Sequence, residues 1–332
     1  MNKVLATGGT GYIGSHTVIE LIKKGYEVEI LDNLFNSKIE VLDKIEKITG
    51  VKPKFHQIDM LDAAGVDAVF ANGNFDTVIH FAGLKAVGES VEKPLEYYKT
   101  NIDGTLNILD SMKKHGVHKI IFSSSATVYG DPHQPTCVET LETGRSLTNP
   151  YGKTKYMIEE ILKDTSFADP ELSVSILRYF NPVGNHESGL IGEDPNGIPN
   201  NLMPIIMRVH QKQIAELSVF GDDYETRDGS CIRDYIHVVD LAVGHILAME
   251  HMQPGVAFYN LGTGNGTTVF EMIKAFEKAA GEPLPYKIAP RRAGDLACLT
   301  ADATKAKEEL GWVATHTVED AMRDTIKFLG SA

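Results

Sequence analysis

The chain has 332 residues, 42% of them hydrophobic and 23% charged, enough to bury a large core as one α/β domain or two smaller ones. Its 45 acidic residues outnumber 32 basic ones, and the net charge of −13 excludes nucleic acid as the main partner. No apolar run approaches the ~20 residues of a membrane span, which argues against membrane insertion. The N-terminus enters an apolar strand with no secretory leader, which predicts a cytoplasmic protein. Cys137, Cys231 and Cys298 are too scattered for a disulfide framework or a zinc site, and the twelve histidines form no ligand motif, so no metal is expected.

The first apolar run, Val4-Leu5-Ala6, leads into Thr7-Gly8-Gly9-Thr10-Gly11-Tyr12-Ile13-Gly14 and then an amphipathic segment from Ile13 to Lys24. Strand, glycine turn and helix in that order can cradle a pyrophosphate. Glycine permits close backbone approach, and a helix N-terminus offers free N–H groups and a positive dipole end. Gly8, Gly11 and Gly14 are spaced one residue wider than the G-x-G-x-x-G fingerprint. Alone, the motif does not separate such a cradle from a plain turn.

Val28 to Leu31 predicts a second strand, ending at Asp32 about 18 residues beyond Gly14. A carboxylate there accepts the adenosine ribose hydroxyls of NAD and repels the 2′-phosphate of NADP. The following Asn33-Leu34-Phe35-Asn36-Ser37 has no arginine, which also favours NAD. Lys54 to Ile58 predicts a strand ending at Asp59, a position suited to the adenine amino group, and Thr77 to Gly83 a strand ending in small residues. Pro94 to His115 predicts one long helix with Asn101 inside it, facing either solvent or a specific partner. Lys119 to Phe122 is the next strand, with Ser123-Ser124-Ser125-Ala126-Thr127 at its C-terminal end, where open parallel sheets bind ligands. Asn149-Pro150 caps and starts another helix, and Ser173 to Phe180 supplies a sixth strand.

Alternating strands and helices demand a doubly wound parallel α/β sheet covered on both faces. Beyond Asn181 the chain becomes dense in glycine, proline and asparagine, and four further helices are separated by loops. The predicted organisation is a dinucleotide-binding domain over 1–181. A smaller lobe follows over 182–332, with some chain crossing back to the first domain.

Tyr151 and Lys155 lie four apart on the predicted helix, so both project from one face. A tyrosine near its ordinary value of about 10 is a poor base at neutral pH. A cation one turn away, with a positive nicotinamide ring, stabilises the phenolate, so Tyr151 could take a hydroxyl proton while hydride leaves the same carbon. Ser125 or Thr127 at the strand end could bond the reacting oxygen.

Together these residues resemble the extended short-chain dehydrogenase/reductases, and within them the UDP-hexose 4-epimerases. The resemblance covers TGGTGYIGSH at 7–16, LDN at 31–33, VIHFAGLKAVGESV at 78–91, FSSSATVYGD at 122–131 and NPYGKTK at 149–155. It continues through LRYFNPVG at 177–184, GEDPNGIPNNLMP at 192–204, RDYIHVVDLA at 233–242, YNLGTG at 259–264 and APRRAGD at 289–295.

The resemblance implies a Rossmann-type fold, tightly held NAD regenerated in each turnover, a UDP-hexose substrate and a homodimer joined through the helices near 94–115 and 150–165. It implies Tyr151 as acid/base, Lys155 as its partner and Ser125 on the reacting hydroxyl. Cofactor contacts would come from Gly8, Gly11, Tyr12, Ile13, Gly14, Asp32, Asn33, Leu34, Phe35, Asn36, Ser37, Asp59 and Met60. Further ones are Phe81, Ala82, Gly83, Leu84, Lys85, Asn101 and Phe180, besides Ser125, Tyr151 and Lys155. The nucleotide-sugar would touch Asn181, Asn201, Leu202, Ser218, Val219, Phe220, Arg233, Tyr235, Arg292, Asp295 and Leu299, besides Ser125 and Tyr151. Arg233 and Arg292 suit a diphosphate chemically, although spacing alone equally allows ordinary ion pairs. Leu299 stands where the family carries either a bulky tyrosine or a small residue, which leaves room for an N-acetyl group open.

Two other activities fit the same cofactor lobe less well. Nucleotide-sugar 4,6-dehydratases carry an Asp-Glu pair where this chain has Ala126-Thr127. A UDP-glucuronate 4-epimerase needs an extra cation near the sugar that the sequence does not locate. A non-catalytic NAD-sensing protein would typically lack the tyrosine or lysine, and both are present.

Overall fold

The structure is a computed structural model describing residues 2–196, 201–292 and 294–331. Part of the motif at 192–204, and Ala293 within 289–295, therefore lie outside the described residues. Five strands alternate with helices through the first part of the chain: β1 (Lys3–Thr7), α1 (Tyr12–Lys23), β2 (Glu27–Asp32), α2 (Val41–Thr49), β3 (Lys54–Gln57), α3 (Ala63–Gly73), β4 (Thr77–His80), then α4 (Val87–Glu92), α5 (Pro94–Tyr98) and α6 (Gly104–Lys114) before β5 (Lys119–Ser125). After the two-residue β6 (Thr136–Cys137) come α7 (Pro150–Ala168), β7 (Ser173–Tyr179) and β8 (Asn181–Val183). The remainder comprises α8 (Leu202–His210), β9 (Leu217–Phe220), β10 (Ile232–His237), α9 (Val238–Glu250), β11 (Gly255–Leu261), β12 (Gly266–Thr268), α10 (Val269–Ala280), β13 (Tyr286–Ala289), β14 (Cys298–Ala301), α11 (Thr304–Leu310) and α12 (Val318–Ser331).

Seven strands form one parallel sheet in the order β11-β7-β5-β4-β1-β2-β3. The order reverses beside β1, so the C-terminal ends of β1 and β4 diverge there and leave a crevice for a ligand. One apolar layer joins β1 and β2 to α1, α2 and α9, and another joins the opposite sheet face to α3, α6 and α7. Both faces are thus covered, as continuous apolar strands require. The seventh strand, β11, comes from beyond residue 250 and returns to pair with β7 along its whole length. Its GVAFYNL sequence, a nearly continuous apolar run broken only by Asn260, does not say which strand it pairs with.

A second, smaller sheet runs β12-β10-β14-β6 with β8 paired to β10, so it takes β6 from within 1–181, and β9 and β13 form a separate pair. The core of the second lobe packs α8, α10 and α12 together around Phe276 and Met322. No helix among the described residues is long and apolar enough to cross a membrane.

The helix expected over 94–115 is continuous in direction but passes through a π-helical turn, Lys99–Asp103, between α5 and α6. The extra residue in that turn re-aims Asn101 inward. Its Oδ1 accepts from Leu84 N at 2.8 Å, and its Nδ2 donates to Leu84 O and Thr154 Oγ1, both at 3.0 Å. Of the two settings the sequence left open for Asn101, the buried and partnered one is observed.

Four histidines are buried neutral: burial pushes His16 and His80 down to about 3, and His237 and His245 down to about 4. Each binds a proton more readily unfolded, at about 6.5, than folded, so stability is full above that value and is lost as pH falls towards the folded values. Between about pH 7 and about pH 5 each should cost roughly 2 kcal/mol of stability, and urea or thermal melts at the two pH values should show a large drop. Equal stability at both would mean these rings are not buried neutral.

Candidate active site

The glycine turn is built for close approach. Gly8 has φ +70°, and a Cβ on it would lie 2.7 Å from Ala82 N. A Cβ on Gly14 would lie 2.3 Å from Gly8 O, so only glycine lets α1 start this close to β1. No side chain caps α1 at Gly11, whereas Asn149 and Thr268 cap α7 and α10, so the first-turn N–H groups of Tyr12 and Ile13 face the crevice uncapped. The crevice also meets the end of β4, where Phe81 and Ala82 donate their N–H groups to Thr7 O and Gly83 lies beside Asn101.

Asp32 closes the other side. Its Oδ2 accepts from Thr10 N at 3.2 Å, and its Oδ1 accepts from Leu34 N at 2.9 Å and Ser37 Oγ at 3.4 Å. Three of roughly four lone-pair sites are used, leaving one acceptor site on Asp32. Ser37 also bonds Thr10 at 2.7 Å, and Asn33 donates to Asp59 at 2.8 Å, so the 33–37 loop is tied down while Phe35 and Asn36 stand exposed. Met60 is buried against Gly104, which has no Cβ to block it. A dinucleotide fits this set: an uncapped helix end for phosphates and a carboxylate at the second strand for ribose hydroxyls.

Tyr151 and Lys155 share one face of α7, over the C-terminal end of β5. Lys155 Nζ donates to Ser123 O at 2.5 Å and lies 4.7 Å from the Phe122 ring centre and 5.9 Å from that of Tyr151. Tyr151 shares a side-chain hydrogen bond with Ser125. Ser125 Oγ accepts from Thr127 N at 3.2 Å and Thr127 Oγ1 at 3.0 Å, so its own O–H is the group that donates to Tyr151. Burial pushes Lys155 down to about 7, against the raising effect of Glu159, and pushes the Tyr151 phenol above its usual value, against the Ser125 bond. The depressed tyrosine expected from a neighbouring ammonium is therefore not a property of the ligand-free pair. Both groups are desolvated, and the phenolate needs a further positive charge nearby.

Beneath them lies a network the sequence did not reveal. Glu159, one turn beyond Lys155, accepts from Arg178 Nε at 3.1 Å, Arg178 Nη2 at 2.7 Å and Ser124 Oγ at 2.5 Å. Arg178 Nη1 donates to Tyr129 Oη at 3.0 Å, and Tyr129 donates to Asn260 in β11. A charged residue on the buried face of a helix was the available signal.

Of the residues expected around the sugar and diphosphate, Phe220, Arg233, Arg292, Asp295 and Leu299 are brought together. Arg233 Nη1 donates to the carbonyls of Ile232 and Leu296, both at 2.8 Å, and Nη2 lies 3.8 Å from Asp295. Arg292 Nε donates to Asp295 at 2.9 Å, and its guanidinium lies 4.7 Å from the Phe220 ring centre. Both arginines therefore have the ion pairs that spacing allowed, and they share one carboxylate. Leu299 pairs in register with Arg233 and packs against the cluster holding Ala126 and Phe180. Tyr235 is buried opposite Asn181, Ser218 and Val219 sit with Phe220 on β9, and Asn201 holds the N-cap position of α8 ahead of Leu202 without a side-chain capping bond.

Fold and site define a dinucleotide-binding protein of the short-chain dehydrogenase/reductase class. Over residues 5–325 the chain matches the family model described as GDP-mannose 4,6 dehydratase. It is 56% identical over 324 residues to the UDP-glucose 4-epimerase of Haemophilus influenzae, covering 97% of this chain and 96% of that protein. It is 54% identical over 330 residues to that of Bacillus subtilis, covering 99% and 97%. The crystal structure of UDP-glucose 4-epimerase from Bifidobacterium longum in complex with NAD+ and UDP superposes with a TM-score of 0.96 at 54% identity, covering 99% of this chain and 98% of that one. The chain belongs to the UDP-glucose 4-epimerase family.

Replacing Gly14 by alanine should force the turn apart, destabilising the protein by roughly 1–3 kcal/mol and lowering the NAD that copurifies with it. Unchanged melting temperature and NAD content would show that the turn tolerates a side chain.

Proposed function

We propose that this chain is an isomerase that interconverts UDP-glucose and UDP-galactose at C4 of the hexose. The observation that supports the reading is Tyr151 beside Ser125 and Lys155 at the end of β5, with Leu299, the register partner of Arg233, packed against the cluster holding Ala126 next to Ser125. Bound NAD supplies a hydride acceptor, and then donor, for C4. Tyr151 takes the proton of the 4-hydroxyl, and Ser125, with both its acceptor bonds drawn from Thr127, donates its O–H to the reacting oxygen. Lys155, with one donor spent on Ser123 O, has others to offer the nicotinamide ribose. The 4-keto sugar turns about its link to a diphosphate held by Arg233 and Arg292, which redistribute their shared contact with Asp295 to planar paired bonds. Tyr151 returns the proton once the opposite face is presented, so nothing is oxidised overall.

We assign NAD contacts to the glycine turn, Asp32 to Ser37, Asp59, Met60, Phe81 to Lys85 and Phe180, with Asn101 acting through Leu84. The cofactor domain over 1–181 gains α9 and β11 from the later chain and lends β6 to the smaller sheet, and the rest of 182–332 forms the sugar lobe. A homodimer is proposed through α4 to α7, whose Val87, Val91, Leu95, Leu106 and Met157 stand exposed on neighbouring helices. The three cysteines are unpaired, in keeping with a reducing, cytoplasmic setting. Elimination of water has no carboxylate pair here: Ala126 is buried and Thr127 is bonded to Ser125.

Incubation with UDP-galactose and a UDP-glucose dehydrogenase reporter should produce a steady signal; none, with NAD confirmed in the protein, sinks the epimerase reading. Tyr151→Phe should slow turnover by about 10²–10⁴-fold, and a near-normal rate would place the proton transfer elsewhere. Leu299 is intermediate in size, so partial turnover of UDP-N-acetylglucosamine is expected. No UDP-N-acetylgalactosamine, at levels that saturate UDP-glucose turnover, would refute this.

A further inference from the structure

Glu193 lies in the stretch between β8 and α8, is 4% exposed, and has no place in the chemistry above. Gly192 before it lets the backbone press against Asn185, since a Cβ there would lie 2.2 Å from Asn185 Oδ1. Glu193 N donates to that same Oδ1 at 3.0 Å, and Asn185 Nδ2 donates to Thr325 Oγ1 in α12 at 3.1 Å. The backbone of Glu193 is therefore fixed to the second lobe.

Its carboxylate reaches the other way. Oε1 accepts from Asn201 Nδ2 at 3.1 Å and from Lys85 Nζ at 3.5 Å, while Oε2 is buried with no hydrogen-bond partner among the described residues. The Tyr12 phenol is pushed well above its ordinary value, first by burial and then by the nearby charge of Glu193. Tyr12 itself donates to Gly184 O at 2.6 Å, so the glycine turn is also pinned to the second lobe. One carboxylate thus bonds Lys85 of the loop after β4 and Asn201 at the N-cap position of α8, and its charge reaches Tyr12 of the glycine turn. Two belong to the proposed cofactor wall and one to the proposed sugar wall. A half-satisfied buried carboxylate is costly, and packing alone supplies no reason to keep it there.

We propose that Glu193 is a positioning residue that couples the dinucleotide loop to the sugar lobe, holding Lys85 and Asn201 through one shared oxygen. What binds on each side rests on the function proposed above. The sign of the coupling follows from the sharing. A ligand that orders Asn201 fixes the carboxylate, the carboxylate fixes the half-exposed Lys85, and the second ligand then meets a loop already ordered. Coupling of this kind is reciprocal, so a nucleotide in the sugar lobe slows loss of the dinucleotide.

The test uses the intact NAD-loaded protein and UDP, which fills the sugar lobe without turning over. Exchange of bound NAD for isotope-labelled NAD is timed with and without saturating UDP, and the ratio of the two rates is the readout. In the unaltered protein UDP should slow exchange by at least about fivefold, within the ordinary range of coupling between sites. In Glu193→Ala that ratio should fall below about twofold, and Glu193→Gln, which keeps an acceptor oxygen but loses the charge, should fall between. A merely structural role would speed exchange alike in both conditions and leave the ratio untouched. The proposal is overturned if the ratio in Glu193→Ala equals that of the unaltered protein, or if UDP has no effect in an unaltered protein that turns over UDP-galactose. Should the alanine variant fail to fold, an unchanged ratio in Glu193→Gln decides against it. Turnover of UDP-galactose in the same preparation reports separately on the epimerase reading.

Discussion

The docking of α7 onto β5 is the constraint on which the rest depends. It works at three levels along one helix face: Tyr151 at Ser125, Lys155 on Ser123 O, and Glu159 on Ser124 and Arg178. The lowest level is an ion pair with both side chains almost wholly buried. Such a pair adds little net stability over an apolar replacement, but removing one partner strands a buried charge at a cost of about 3–5 kcal/mol. Its geometry is therefore strict: α7 cannot slide along β5 by a residue without breaking three bonds to Glu159 at once. What the pair supplies is position, and it holds Tyr151 and Lys155 at the strand end where Ser125 lies.

The same economy appears where the helices meet the cofactor crevice. A regular α-helix through 94–115 would not carry the Asn101 amide to Leu84 and Thr154 together; the π-turn does. Asn101 thereby ties the loop 83–85 to α7, and Thr154 lies between Tyr151 and Lys155 in the sequence. The loop expected to meet the dinucleotide and the helix expected to meet the sugar thus share a brace made of one amide. Its donors are fully used on protein, so its effect on a ligand acts through Leu84.

Much of this was legible in the sequence because it is local. The glycine turn, Asp32 at the end of β2, the Asn149 cap and the Tyr151–Lys155 spacing each follow from contacts within a few residues or from one strand-helix step. The helices Val269–Ala280 and Thr304–Leu310 were likewise readable from period and caps, the former closed by a capping box at Thr268 and Glu271. What was not legible depends on partners far apart in the chain. β11 joins the sheet across a long gap, Arg178 meets Glu159 from another element, and Glu193 meets Lys85 and Asn201 from two more. The π-turn escaped for another reason: one inserted residue leaves the apolar pattern nearly intact.

The protonation states in the site follow from this architecture. The packing that fixes Lys155 and Tyr151 also desolvates them, which drives the lysine down to about 7 and the phenol up. An exposed pair would hold more charge but would lack a fixed relation to the strand end. With the lysine poised at neutrality and the tyrosine protonated, a cation arriving beside them shifts both in ways that burial alone does not. It favours the phenolate over the phenol, which opposes the effect of burial on Tyr151. The resting pair is therefore a poor base, and it improves when a positive ring enters the crevice. Under the roles proposed for Tyr151 and the glycine turn, that ties proton abstraction to occupation of the crevice, and it gives a reason for both motifs to lie on one rigid sheet.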